Sequence, residues 1–183
     1  MAGFLFALLA TVIAGVSARD QVLVADLAQG HGGKHGRRPA VLLVALAAAL
    51  ASAAAAGWVG AALAPLLVPR ARVLLVAMAL GLAALELLFI RPRGRPKEPT
   101  ASLGAFAIVL LAHQLTDAAR LLAFAIAANS ALPQMAMAGA MVGCAVTVAA
   151  GWLAGPDLKQ LPLIAARRGL GVFFGAIAFW LAM

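Results

Sequence analysis

Runs of about twenty apolar residues recur along this chain, separated only by short clusters of basic residues, glycine and proline. A helix needs roughly 20 mostly apolar residues to cross a hydrocarbon core of about 30 Å. In that solvent an unpaired N–H or C=O costs several kcal/mol, so each run must close its own backbone hydrogen bonds as a helix. Six runs can be marked: Gly3 to Ala28, Pro39 to Leu67, Val73 to Ile90, Ala101 to Ala128, Leu132 to Ala154 and Ile164 to Met183. The sequence therefore predicts an all-α integral membrane protein of six transmembrane helices.

Composition narrows the function classes. Only 11% of the 183 residues are charged, against about 25% in an ordinary soluble domain, so the expected partner is the lipid bilayer. The net charge of +8 does not point to nucleic acid, because the basic residues lie in short clusters between apolar runs without interleaved aromatics. Cys144 is the only cysteine, which excludes a disulfide framework or a cysteine metal site within one chain. Val16-Ser17-Ala18 resembles a signal-peptide cleavage site, yet no Lys or Arg precedes the first apolar run, as a signal peptide requires. Nothing forms a nucleophile–base pair or a closed set of metal ligands, so neither an enzyme nor a resident cofactor is expected.

The two halves echo one another. Asp20 and Asp117 each lie inside the first run of a half, Gly57-Trp58 and Gly151-Trp152 lie in the second runs, and Pro39 and Pro133 open those runs at the same spacing. The stretch 91–100, with three prolines and five charges, divides the chain into a first repeat, 1–90, and a second, 101–183, and reads as a cytoplasmic connecting loop. Three helices per half is an odd number, so the second repeat enters the membrane from the opposite side and the repeat is inverted. Lys34, Arg37, Arg38, Arg91, Arg93, Arg95, Lys97, Lys159, Arg167 and Arg168 fall on one side, and only Arg70 and Arg72 on the other. This bias of ten to two predicts a multi-pass protein of the cell's inner (plasma) membrane with both termini outside the cytoplasm.

The candidate site lies in the first and fourth runs. In the fourth, His113, Thr116, Asp117 and Arg120 recur at spacings of three and four beside Gln114, forming one polar stripe on a continuous helix. A charge at that depth costs about 2.5–3.5 kcal/mol on insertion scales, so Asp117 and Arg120 must face the bundle interior and find partners. The stripe is either an ion or proton pathway or a neutralised pair that locks helices together. In the first run Ser17, Asp20 and Gln21 share a face, with Arg19 about 100° away. Arg19 and Asp20 sit either deep in the bundle or at its interface. The repeat favours depth, pairing Ser17 with Gln114 and Asp20 with Asp117.

These residues resemble the cation/proton antiporters typified by the Golgi transmembrane protein 165 and its bacterial manganese-exporting relatives. Each repeat of that family opens with a helix carrying Glu-x-Gly-Asp-Lys-(Thr/Ser)-Gln. Here the corresponding segments read Ser17-Ala18-Arg19-Asp20-Gln21-Val22-Leu23 and Gln114-Leu115-Thr116-Asp117-Ala118-Ala119-Arg120, so the Asp is retained in each while the Glu is replaced by Ser17 and Gln114. The resemblance implies a secondary transporter with a pseudo-twofold site between the first and fourth helices. Asp20 and Asp117 would hold the cation, manganese or calcium, or carry the proton. Ser17, Gln21, His113, Gln114 and Thr116 would supply neutral ligands, and Arg19 and Arg120 would be the charge partners. The alternative from another class is a non-transporting relative whose Asp–Arg pairs serve structure or partner docking.

Other features receive structural readings. His31 and His35 belong to a solvated loop, and Glu86 is expected to pair with Arg91 or Arg93 near the interface. Gly139-x-x-x-Gly143 and Gly171-x-x-x-Gly175 allow close helix approach, within one chain or between copies in a homo-oligomer. Trp58, Trp152 and Trp180 fit interfacial anchors.

Overall fold

The structure, a computed structural model, describes residues 1–16, 18–28, 39–90, 102–155 and 163–183. Every element among them is helical: α1 (Ala2–Gly15), α2 (Arg19–Ala28), α3 (Pro39–Leu63, prolonged by the 3-10 turn Ala64–Leu66), α4 (Pro69–Phe89), α5 (Leu103–Leu115), α6 (Ala118–Asn129), α7 (Pro133–Ala154) and α8 (Leu163–Ala182). Pro69 and Pro133 stand in the first turns of α4 and α7, where the missing N–H has no intrahelical partner to lose. Ser102 caps α5 by accepting from the backbone N–H of Ala105 at 3.1 Å.

Four of these helices are long and apolar enough to cross a membrane: Pro39–Leu66, Pro69–Phe89, Pro133–Ala154 and Ile164–Ala182. The remaining four form two bent pairs. α1 and α2 meet at 65° and α5 and α6 at 56°, and there are six spans if each bent pair is one. The continuous first and fourth helices expected from the polar stripes are thus each broken, and the breaks fall at 16–18 and 116–117, beside Asp20 and Asp117. Many large apolar side chains face outward, among them Phe6, Leu43, Trp58, Met78, Ile108 and Phe179. A chain that turns such residues outward along helices of this length fits a multi-pass membrane protein. The connecting stretch 91–100, the loop histidines His31 and His35, and Ser17 lie outside the described residues.

Small residues set the helix contacts. Along the α1–α7 seam a Cβ at Gly139 would run into the Phe4 carbonyl, one at Gly143 into Leu8 and Thr11, and one at Gly15 into Thr147. The order of these contacts makes α1 and α7 run in the same direction. α3 and α6 are also parallel, since Ser52 meets Arg120 while Gly60 abuts Phe124 and Ala128. α4 and α8 are antiparallel: Arg70 donates to the Ala182 and Met183 carbonyls at one end, and Gly171 packs on Ala84 and Leu88 toward the other. Gly139, Gly143 and Gly171 therefore make close contacts within the chain, the use that lipid-embedded helices make of small residues. α5 packs against α3 and α2 and has little contact with α4 or α8. An apolar cavity of about 900 Å³ lies between α1, α4, α6 and α8, lined by residues such as Phe6, Ile13, Leu80 and Phe174 and by no ionisable side chain.

Candidate functional site: two buried ion clusters

The first cluster is built where the two bent pairs face each other. Asp20 is the second residue of α2 and Asp117 is the residue before α6, so both carboxylates sit at helix N-termini, the end whose partial positive charge favours an anion. Arg120, one turn into α6, reaches back between them. Its Nη1 donates to Asp117 Oδ2 at 2.9 Å and to Asp20 Oδ2 at 3.0 Å. Its Nε donates to Ser52 Oγ on α3 at 3.1 Å. Ser52 Oγ in turn donates to Gln114 Oε1 at 2.9 Å, and Gln114 Nε2 donates to Asp20 Oδ2 at 3.2 Å. Asp20 Oδ1 accepts from the backbone N–H of Gln21 at 2.7 Å, and Gln21 Nε2 donates to the Thr147 carbonyl on α7 at 3.2 Å. Asp20, Asp117, Arg120 and Gln114 are all at most 3% exposed.

The cluster is polar but not uniformly saturated. Both oxygens of Asp20 are engaged, whereas Asp117 Oδ1 and Arg120 Nη2 have no hydrogen-bond partner among the described residues. Two acids and one base leave this cluster a formal charge of −1.

The second cluster sits beside the first. Glu86 on α4 and Arg167 on α8 are buried and joined by a 2.8 Å hydrogen bond from Arg167 Nη2 to Glu86 Oε1. The same oxygen lies 3.6 Å from Arg19 Nε, and Arg19 Nη2 donates to Thr116 Oγ1 at 3.0 Å. Arg91 and Arg93, expected to meet Glu86 near the interface, lie outside the described residues; among the described ones the partners of Glu86 are Arg167 and Arg19. Arg167, counted above among the basic residues of the cytoplasmic side, is a core residue at 2% exposure. A buried carboxylate near the end of α4 draws the opposite charge from the facing start of α8, because an isolated buried charge would cost far more.

Of the sequence-predicted residues, Asp20, Asp117, Gln114 and Arg120 come together in one cluster, and Gln21 adjoins it through its backbone. Thr116 and Arg19 meet each other rather than an Asp, and Arg19 takes Glu86 as its ion-pair partner. His113 lies half-buried on α5, a turn before the break. The shared helical face assumed for His113, Thr116, Asp117 and Arg120 does not exist as one surface, since the break separates the first two from the last. Ser52, Glu86, Arg167 and Thr147 were missed. A signal was present for Ser52, the one hydroxyl in the alanine-rich α3. Among the described residues no group of three or more His, Cys, Asp or Glu is placed to hold a metal ion. No protein-family model, curated protein or solved structure matches this chain.

Proposed function

We propose that this chain is a secondary transporter of the inverted-repeat cation/proton antiporter type, with Asp20 and Asp117 as its carrier pair and Arg120 as its built-in cation when no cargo is bound. The observation that carries this reading is the convergence of two carboxylates, from two separately broken helices, on one guanidinium nitrogen. Discontinuous helices whose ends meet at a shared polar centre are a construction that secondary transporters use. The packing partners support an inverted repeat of 1–90 and 101–183: the bent α1–α2 pair lies along α7, the bent α5–α6 pair lies along α3, and α1–α7 and α6–α3 each run parallel. Both termini then face away from the cytoplasm, in a plasma membrane.

Two carboxylates without Arg120 carry −2 and suit a divalent cation such as manganese or calcium, a hard ion that seeks carboxylate oxygens. Arg120 and that cation compete for the same oxygens, and a bare −2 site in a dry bundle is too costly to populate, so the guanidinium, which stays tethered, closes the site whenever the cargo leaves.

Flux measured in proteoliposomes tests this. Wild-type protein should move manganese or calcium against protons, and Asp20→Asn or Asp117→Asn should abolish the flux. Arg120→Gln should bind the divalent cation about tenfold or more tightly by calorimetry, because no tethered cation competes, while failing to exchange it. The near-complete burial of the cluster favours a second reading, in which the same charges only hold the bundle together. That reading predicts no cation or proton movement by the wild type above empty liposomes, and such a result would sink the transport proposal.

A further inference from the structure

The Arg19–Glu86–Arg167 cluster takes no part in holding Asp20 and Asp117, yet one of its members adjoins Asp20 in the chain and bonds the neighbour of Asp117. Arg19 immediately precedes Asp20, Thr116 immediately precedes Asp117, and the two are hydrogen-bonded across the gap between the helix breaks. Glu86 and Arg167 are buried, but the Arg19 side chain is 19% exposed and Thr116 is exposed. Behind them Asp20 and Asp117 are at 1% and 2%. α5, which ends at Thr116, is bound to α3 and α2 and has little contact with the α4–α8 pair. The guanidinium of Arg19 thus bridges from Glu86 on α4 to Thr116 at the end of α5, two helices with little contact among the described residues.

We propose that Arg19 is the gate of the carrier site on the membrane face where α4 ends and α8 begins, hinged on Glu86 and latched to Thr116. The inference rests on the reading of Asp20 and Asp117 as the carrier pair. The two attachments of Arg19 are unequal. On the Glu86 side it has an ion pair at 3.6 Å, without a hydrogen bond, to a buried carboxylate whose own position is fixed by Arg167. On the Thr116 side it has one hydrogen bond to an exposed neutral hydroxyl, a contact that water can replace on opening. Opening breaks that single bond and leaves Arg19 paired with Glu86, so no charge is stranded. A cation entering there meets a positive side chain first, which makes Arg19 a specificity-determining residue as well as a latch.

Side-specific cysteine labelling tests the gate without requiring the cargo to be known. In a Cys144→Ala background, Ala118→Cys places a thiol next to Asp117, and Ala18→Cys provides a second reporter at the other break should the first fail to fold. Labelling rates are measured in membrane vesicles of each orientation, with a membrane-impermeant cationic methanethiosulfonate and with an anionic one. Arg19→Gln and Thr116→Val should each accelerate both reagents about tenfold from the Arg19 face, the effect of losing one hydrogen bond that holds the closed state, and should leave the rate from the other face unchanged. Arg19→Lys should return the rate toward wild type. Acceleration of the cationic reagent alone would show a charge effect without opening, equal acceleration from both faces would show general loosening, and unchanged rates would show no latch; each result overturns the proposal. Absence of flux in the transport assay would overturn the carrier reading while leaving these labelling rates to be judged on their own.

Discussion

Arg120 is the side chain on which most of the buried electrostatics depend. It satisfies two carboxylates and a serine hydroxyl at once, so its removal strands both acids in a water-poor bundle. Arg120→Gln should therefore destabilise the protein by about 3–5 kcal/mol, the usual result of breaking a buried pair from one side. Asp117→Asn should cost less, because Arg120 keeps Asp20 as a counter-ion and Asp117 Oδ1 gives up no partner among the described residues. Asp20→Asn should lie between them, since both Asp20 oxygens accept hydrogen bonds and an amide nitrogen would face a donor. Thermal unfolding in a single detergent orders the three, and an Asp117→Asn variant less stable than Arg120→Gln would contradict this account of the cluster. The double variant Asp117→Asn with Arg120→Gln should not recover wild-type stability, because Asp20 remains without a cation.

At the scale of elements, the helix breaks and the glycine seams decide the architecture. The break at 116–117 contains neither proline nor glycine, so no local breaker announces it. It is held from outside by way of Thr116, tied to Arg19, and of Arg120, which pairs locally with Asp117 and is itself bound to Asp20 and Ser52. The seams are legible in the sequence as glycine pairs, but which helix each pair meets is not. A Cβ at Gly60 or Gly139 would strike a backbone carbonyl of a neighbouring helix. Gly60→Ala and Gly139→Ala should each cost about 1–3 kcal/mol, the range for overpacking. Gly104 has open space around the same position, and Gly104→Ala should be neutral or stabilising by up to about 1 kcal/mol through helix propensity. Detergent-resistance or melting assays on the three variants provide the comparison, and equal losses at all three would mean that helix approach is not set by these contacts.

Across the whole molecule, the basic bias predicts an external C-terminus after Met183 and a cytoplasmic stretch 91–100, testable with reporter fusions at both places. Moving Arg167 from the loop count into the core leaves that bias intact, with Arg70 and Arg72 still the basic residues of the opposite side. A cytoplasmic C-terminus would refute both the orientation and the inverted plan. Helix content, the extent of the apolar runs and the concentration of polar residues in the first and fourth of them were determined by the sequence alone, because hydrocarbon forces every backbone group into a local hydrogen bond and makes each charge conspicuous. The partners were decided only by tertiary structure. Arg19 meets Glu86 rather than Asp20, Arg167 enters the core, and Ser52 joins Gln114 to Arg120, through contacts between residues far apart in the chain. Local periodicity records which side chains must find a counter-charge, but the counter-charge itself is chosen by the packing that brings polar side chains of separate helices within reach of one another, and no short-range pattern contains that choice.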